Sequence, residues 1–433
     1  MQQIEELVTD HFRVPVPAER RVGAFAIGLV VFGIGITLPI FYLGAELGQS
    51  LGLRDAALVF FGGCMLLGIL CAITSLVGAL TGLSSYMIIQ FPFGRDGAKI
   101  VNLLMAIALL GYFGATADIF GQALRDAVQS IYGVAGPLWA WKLAGCALMT
   151  FTAVFGFRAI EKLSFFSVPL MALFMFYAVW LSLGEGGLDK ALAYPGKGDM
   201  GLGLALSTVL GSSIQSAVLA PDVTRFARSG WAGILSIWGL AIGFPLVFLA
   251  AAIPSIITGE ISIMLIMVGL GIVIPALFTL IFATWTTNTV NLYSTSMVLA
   301  TVFTRVKEWK ITLAAAAFGT TLALLGIMEH FLDFLLTLGI TTPPIAGIYL
   351  VDFFFLRRRR YDIAELATAP GIGWAALLTW IAASAVGFAA MADVIRLTGV
   401  PAVDSLFAAA VIYFVAGKLS PARNRSRAAP VQG

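Results

Sequence analysis

Long apolar stretches alternate with short polar segments along the chain. A helix that crosses a bilayer needs about 20 mostly apolar residues, and twelve stretches reach that length. These runs cover residues 22–46, 56–80, 97–127, 136–156, 162–184, 203–228, 230–253, 263–301, 310–329, 331–355, 371–392 and 402–420. The pattern therefore predicts an all-α polytopic membrane protein with twelve transmembrane helices.

Composition and charge agree with this class of protein. The 433 residues are 60% hydrophobic and 11% charged, with a mean hydropathy of +0.97, whereas soluble domains carry about 25% charged residues. If the N-terminus is inside, the inner segments hold 20 Lys and Arg residues and the outer loops hold 6. Because Lys and Arg are concentrated on the cytoplasmic side of membrane proteins, we expect both termini in the cytoplasm and a location in the cytoplasmic (inner) membrane.

Two of the runs are interrupted by glycine and proline. The first run contains VFGIGITLPIF and the sixth contains VLGSSIQSAVLAPDVTRF. Gly and Pro weaken a helix, and unwound backbone persists in a membrane only beside protein or a water-filled cavity. Paired interruptions in the two halves of a chain are typical of inverted-repeat transporters. Kinked helices that pack closely through glycine are the alternative.

These interruptions divide the chain into repeats. The predicted units are a cytoplasmic N-terminal segment (1–21), a first five-helix repeat (22–184), a second, inverted repeat (203–355), two additional helices (371–420) and a cytoplasmic tail (421–433). Because no soluble domain is present, polar residues at membrane depth are the candidates for function.

Residues 284–294, TWTTNTVNLYS, place many polar groups within the eighth run. On a helix of about 100° per residue, one face carries Thr284, Thr287, Asn288 and Asn291, with Thr286 at its edge. Hydroxyl and carbonyl oxygens suit a small hard cation, and an amide suits a polar ring. Ordinary hydrogen bonding between helices is the alternative. The density of polar groups in a chain with two interrupted helices favours a binding site.

Several stretches resemble motifs of the nucleobase–cation symporter family, in its bacterial cytosine-permease branch. In chain order they are RVPVPAERR, FPFGRDG, GYFG, GSSIQSAVLAPDVTRFAR, IFATWTTNTVNLYS and PPIAGIYLVDFFFLRRRRYD. The resemblance spans residues 13–365, and the set is specific to the family rather than to one substrate. It implies a leucine-transporter-type fold, a five-plus-five inverted repeat with the first and sixth helices broken, and Na⁺-coupled uptake by alternating access.

The resemblance also implies particular binding residues. A cation between the first and eighth runs would be held by the carbonyls of Gly33, Ile36 and Ala283 and by the hydroxyls of Thr286 and Thr287. The substrate would be held by Tyr112, Asn288 and an unwound segment at Ser212 and Ser213, with Gln215 beside it. Because both hydroxyl positions are kept, Na⁺ is preferred to H⁺ as the coupling ion.

The sequence departs from the cytosine-permease pattern at the substrate site. Tyr112 stands where the family has tryptophan, Leu109 where it has glutamine, Ser213 where it has an aromatic residue, and Gln215 where it has serine. Tyrosine can still stack on a flat ring, and such stacking contributes about 1 kcal/mol to binding. Ser213 removes one aromatic stacking surface, and Gln215 adds a carboxamide. The expected substrate is a nucleobase such as cytosine or a related pyrimidine, and a hydantoin, a ureide or a creatinine-like compound is the alternative.

We therefore predict a monomeric symporter, not an enzyme, whose partners are a small-molecule substrate and the lipid bilayer. An H⁺-coupled carrier of the same fold is the first alternative, and a channel or membrane-embedded enzyme is the second. The four arginines at 357–360 follow an apolar run directly, which favours an anchor at the cytoplasmic surface over a nucleic-acid patch. Asp118 with Arg125, and Asp222 with Arg225, are interpreted as structural salt bridges rather than proton relays.

Overall fold

Helices make up most of the described chain. The computed structural model describes residues 16–17, 19, 21–155, 157–184, 187–271, 273–303, 305–367, 369–395 and 397–419, and at some helical positions, Ala283 and Thr286 among them, it describes no side chain. The first ten helices are α1 (Ala24–Gly35), α2 (Leu38–Leu51), α3 (Leu53–Thr81), α4 (Ser85–Phe93), α5 (Arg95–Tyr132), α6 (Leu138–Phe155), α7 (Phe157–Ser182), α8 (Gly187–Ala193), α9 (Leu202–Val218) and α10 (Pro221–Thr224). The others are α11 (Gly230–Leu235), α12 (Phe244–Thr258), α13 (Ile263–Gly269), α14 (Val273–Val302), α15 (Glu308–Leu324), α16 (Phe331–Thr341), α17 (Pro343–Val351), α18 (Ile363–Ala367), α19 (Trp374–Met391) and α20 (Pro401–Leu419). Short π-helical turns lie at Gly239–Gly243 and Asp352–Leu356, and a 3₁₀ turn lies at Ile327–His330.

Each of the twelve predicted runs contains helix. Among the described residues, seven helices are long and apolar enough to cross a membrane, or eight if α1 and α2 count as one bent span. The eighth run was expected to form one long helix, and this expectation is wrong, because the run is divided into α13 and α14.

The first run is broken where the sequence predicts it. The segments Ala24–Gly33 and Leu38–Leu51 are inclined by 71°, and Thr37 between them is extended, with φ −135° and ψ 154°. Pro39 lies in the first turn of α2, where its missing N–H costs no helical hydrogen bond. Proline therefore restarts the helix directly after the break.

The sixth run is broken later than the sequence predicts. The unwound segment expected at Ser212 and Ser213 is wrong, because both residues lie within α9, which continues to Val218. The helix ends just before Pro221, which opens α10. A glycine such as Gly211 costs a helix only about 1 kcal/mol, whereas an interior proline costs about 3 kcal/mol. The proline therefore sets the break.

Helix packing places α5 at the centre of the candidate site. Helix α14 lies along α5 and also contacts α6, α7 and α15, while α9 packs on α3 and α16. Helix α2 packs along α12, and a Cβ on Gly44 would lie only 2.6 Å from the Phe248 carbonyl oxygen. Such small residues allow the close backbone approach that is common between membrane helices. The two additional helices, α19 and α20, pack on each other and on α17.

Candidate functional site

Asn288 lies on the face of α14 that packs against α5. Its side chain is completely buried, and its Nδ2 donates to the Phe113 carbonyl oxygen at 3.0 Å and lies 3.0 Å from Met149 Sδ. Only the NH₂ end of an amide can donate to a carbonyl, so this contact fixes the orientation of the side chain. Asn288 Oδ1 is buried and has no hydrogen-bond partner among the described residues. The amide therefore holds an unused acceptor inside the helix bundle.

Two hydroxyls on the same pair of helices share this condition. Thr284 lies one turn before Asn288 on α14, and Thr116 lies one turn after Phe113 on α5. Both side-chain oxygens are buried without a partner in the described part of the chain. Buried polar groups are nearly always bonded, to protein or to ordered water. The α5–α14 interface is therefore a candidate position for a bound polar molecule or water.

The predicted substrate residues on α9 are connected to α5 by side-chain hydrogen bonds. The Tyr112 hydroxyl is 2.7 Å from the Ser212 carbonyl oxygen and 3.3 Å from that of Gly211. Gln215 Nε2 is 3.4 Å from the Met105 carbonyl oxygen, and the hydroxyls of Ser212 and Ser213 are 3.2 Å apart. The structure therefore brings four of the five predicted substrate residues to the contact between α5 and α9, and Asn288 to the contact between α5 and α14.

Aromatic residues from α16 surround the ring of Tyr112. Phe331 and Phe334 lie at centroid distances of 6.3 and 5.5 Å and meet the ring edge to face, at 80° and 76°. Tyr42 from α2 meets Phe331 in the same manner, at 6.3 Å and 77°. The sequence pattern did not indicate these neighbours, because apolar residues on a membrane helix carry no signal that separates a binding site from a packed core. Tyr112 therefore lies within an aromatic group rather than alone.

The predicted cation ligands belong to two separate helix segments. On the first, Ile36 N–H donates to the Gly33 carbonyl at 3.2 Å, and Thr37 N–H donates to the Gly35 carbonyl at 3.0 Å. The Ile36 carbonyl accepts no backbone hydrogen bond from the residues that the structure describes. It is therefore an available oxygen at the break in the first run.

The second segment is the middle of α14. Thr287 is half-buried there, and Ala283 and Thr286 lie on the same unbroken helix, although their side chains fall outside the described part of the chain. Neither α1 nor α2 packs extensively along α14, and both α2 and α14 contact α5. The two halves of the predicted cation site are thus separate helix surfaces rather than one packed interface.

A buried ion pair lies beyond the substrate residues on α5. Asp118 was expected to pair with Arg125, and this expectation is wrong: its Oδ1 is 2.7 Å from Lys142 Nζ, on α6. Lys142 Nζ also donates to the Ala323 carbonyl at 2.9 Å, near the end of α15. Asp118 accepts from Gln122 Nε2 at 2.9 Å. Both charged side chains are almost fully buried, so the pair connects three helices inside the bundle.

The second acidic residue also has a structural role. Asp222 Oδ1 accepts the Ser85 backbone N–H at 2.7 Å, which caps the start of α4. Arg225 Nε donates to the Asp222 main-chain carbonyl at 3.1 Å. Asp222 therefore connects the break in the sixth run to the segment between α3 and α5.

The chain is similar to known proteins in sequence and in fold. It matches a family described as permeases for cytosine and purines, uracil, thiamine and allantoin over residues 14–415. Over 421 residues it is 30% identical to the cytosine permease of Escherichia coli K12, and the alignment covers 96% of this chain and 95% of that protein. Over 412 residues it is 26% identical to the hydantoin permease of Microbacterium maritypicum, and that alignment covers 86% of this chain and 82% of the permease. An inward-facing structure of Mhp1 matches with a TM-score of 0.81 at 22% identity and covers 97% of each chain, which confirms the expected fold.

Proposed function

The chain belongs to the nucleobase–cation symporter family, the permeases for cytosine and purines, uracil, thiamine and allantoin, and we propose that it imports a small nitrogenous heterocycle by Na⁺-coupled symport. Members of this family are transporters rather than enzymes. The observation that carries the proposal is the buried, unpartnered Asn288 Oδ1. It provides an acceptor that a ring N–H or exocyclic amino group can satisfy.

The other polar groups define the chemistry that this site would accept. The Tyr112 hydroxyl donates to the Ser212 carbonyl of α9, and Gln215 Nε2 donates to the Met105 carbonyl and sulfur of α5. With these donors engaged, Asn288 Oδ1 remains as an acceptor, and the hydroxyls of Thr116 and Thr284 can accept or donate. Such a site suits a ring that carries both N–H groups and carbonyl oxygens, as in pyrimidines, hydantoins and ureides. The names of two relatives, a cytosine permease and a hydantoin permease, support the same class.

The coupling ion is the second part of the proposal. We place Na⁺ between the break in the first run and the middle of α14, with the Ile36 carbonyl as one ligand and the Thr286 and Thr287 hydroxyls as others. Within the described residues, no cluster of three His, Cys, Asp or Glu side chains could hold a metal ion. Neutral oxygens suit a monovalent hard cation that is bound and released in each cycle. The ion pair of Asp118 with Lys142 disfavours that carboxylate as a proton carrier.

Uptake into proteoliposomes would test the coupling. We expect accumulation of a labelled pyrimidine or hydantoin to be lost when external Na⁺ is replaced by choline at fixed pH. An inward Na⁺ flow is favoured by the membrane potential, at about 2.3 kcal/mol per charge per 100 mV. If uptake is unchanged when choline replaces Na⁺ but depends on a pH gradient, the coupling ion is H⁺ instead. Acceleration of label entry by unlabelled internal substrate would separate a carrier from a channel.

Replacement of Asn288 by alanine would test the substrate site. We expect substrate affinity to fall by about 10- to 100-fold, because one bond to a buried polar group is worth about 1–3 kcal/mol. The binding constant for Na⁺ without substrate should change much less. Asn291→Ala provides the matched control, since it removes a half-buried amide from the same helix three residues later. Equal losses of substrate affinity in the two variants would contradict the assignment of Asn288.

A further inference from the structure

A group of basic side chains lies where two membrane-spanning helices end together. The candidate span Ile327–Leu356 ends directly before Arg357, and α20 ends at Leu419. A Cβ on Gly417 would lie 2.4 Å from the Leu356 side chain, so the two ends are in contact. Three exposed arginines (Arg358, Arg359 and Arg360) follow the first span, and exposed Lys418 closes the second. These four residues are here called the basic cluster.

The neighbouring arginine is used differently and does not belong to the cluster. Arg357 Nε is 2.9 Å from Asp352 Oδ2, and its NH1 contacts the Glu365 carboxylate. Its guanidinium also lies over the Phe91 ring, at 5.3 Å from the centroid. Asp362 Oδ1 accepts the Ala364 N–H. These carboxylates thus bond to Arg357 or to the backbone, and none of them forms an ion pair with the basic cluster.

No described carboxylate pairs with any member of the basic cluster. Residues 420–433 contain no Asp or Glu and hold three further arginines. An anion from outside the described residues can therefore bind the basic cluster without competing with a carboxylate that is already paired to it. The position of the cluster at the end of two spans indicates an anion at the membrane surface.

The backbone and the aromatic residues present the cluster to that surface. Arg358 and Arg359 adopt left-handed φ values of 51° and 64°, an arrangement that costs non-glycine residues about 1–3 kcal/mol each. The Arg359 guanidinium lies 5.3 Å from the centroid of Phe354, and Lys418 Nζ lies 4.4 Å from that of Phe414. The Phe355 ring, which is 63% exposed, meets Phe414 edge to face at 5.8 Å. The exposed Phe355 ring thus contacts an aromatic ring over which the Lys418 ammonium group lies.

We propose that the basic cluster binds the headgroup of an anionic phospholipid, with Phe355 against the acyl chains. Guanidinium groups bind phosphate oxygens in bidentate geometry, and basic residues beside a membrane helix are attracted to anionic lipids. A dissolved phosphate would gain nothing from the exposed ring. The lipid would connect the second repeat to the two additional helices, because the cluster draws on both.

The test compares two lipids on purified protein in detergent. Dioleoylphosphatidylglycerol should raise the unfolding temperature at lower concentration than dioleoylphosphatidylcholine does, since a bound ligand stabilises the folded state. Arg358→Gln/Arg359→Gln/Arg360→Gln should weaken the phosphatidylglycerol effect by about tenfold or more. Glutamine keeps the Cβ and most of the length, so the turn is unchanged. Lys418→Gln should reduce the phosphatidylglycerol effect by a smaller factor. This single variant provides the test if the triple variant does not fold.

A charge-matched control excludes a general electrostatic effect. Arg305→Gln/Lys307→Gln/Lys310→Gln removes three exposed cations, two from the segment between α14 and α15 and one from the first turn of α15, and it should retain the full preference for phosphatidylglycerol. An equal loss in both triple variants, or equal effects of the two lipids on the unaltered protein, would overturn the proposal. Glycerol phosphate should have no effect at the lipid concentrations used. If it reproduces the effect of phosphatidylglycerol, the ligand is a soluble phosphate and the lipid assignment is wrong.

Discussion

The double variant Thr286→Ala/Thr287→Ala is expected to lose the Na⁺ dependence of transport while it remains folded. Each hydroxyl bonded to a cation contributes about 1.5–3 kcal/mol, so removal of both should weaken Na⁺ binding more than about 100-fold. Alanine is the best helix former, and α14 should therefore keep its structure. Measurement of Na⁺ affinity by the Na⁺ dependence of substrate binding, together with the unfolding temperature, separates lost binding from lost folding.

Thr289→Ala is the matched control on the same helix. Its hydroxyl donates to the Trp285 carbonyl at 2.6 Å, as expected for a threonine that satisfies itself within its own helix. Its removal should leave Na⁺ affinity within about twofold of the unaltered protein, because no ligand oxygen is lost. An unchanged Na⁺ affinity in the Thr286/Thr287 variant would refute the cation assignment and leave the proposed substrate site untouched.

The helices could be predicted from the sequence, because hydrocarbon admits only structures whose backbone is satisfied internally. A long apolar run therefore forms a helix almost independently of which apolar residues it contains. The break in the first run was predicted because Pro39 and the glycines before it agree on one place. In the sixth run Gly211 and Pro221 lie ten residues apart, and the prediction followed the glycine whereas the structure follows the proline.

The arrangement of side chains was harder to predict. Asn288 could be recognised as a buried polar residue, but its bond to Phe113 depends on how α14 lies against α5, which no local pattern specifies. Lys142 lies inside the fourth apolar run, and an ionisable residue at membrane depth requires a buried partner. Its partner, Asp118, was assigned to Arg125 because residues seven apart share a helix face.

The corrected pair predicts a large loss of stability when either charge is removed alone. Lys142→Met should lower the free energy of unfolding by about 3–5 kcal/mol, because the buried Asp118 carboxylate then lacks its countercharge. Adding Asp118→Asn to this variant should recover most of the loss, since a neutral buried pair no longer pays for an unpaired charge. Denaturation of the purified protein in mixed micelles measures each free energy. Lys99→Met, which breaks the exposed pair with Asp96 on the same helix, should cost less than about 1 kcal/mol.

Because the Asp118–Lys142 pair lies close to the predicted substrate residues, the substrate affinity of the same variants provides a second test. Asp118 Oδ2 lies 3.4 Å from the Met328 N–H, in the 3₁₀ turn that leads into α16, and α16 supplies Phe331 and Phe334 to the ring of Tyr112. If the pair positions that turn, the recovered double variant should still bind substrate more weakly than the unaltered protein. Full recovery of both stability and affinity would limit the pair to a role in folding. A Lys142→Met variant as stable as the unaltered protein would show that the carboxylate is neutral or solvated in the folded state.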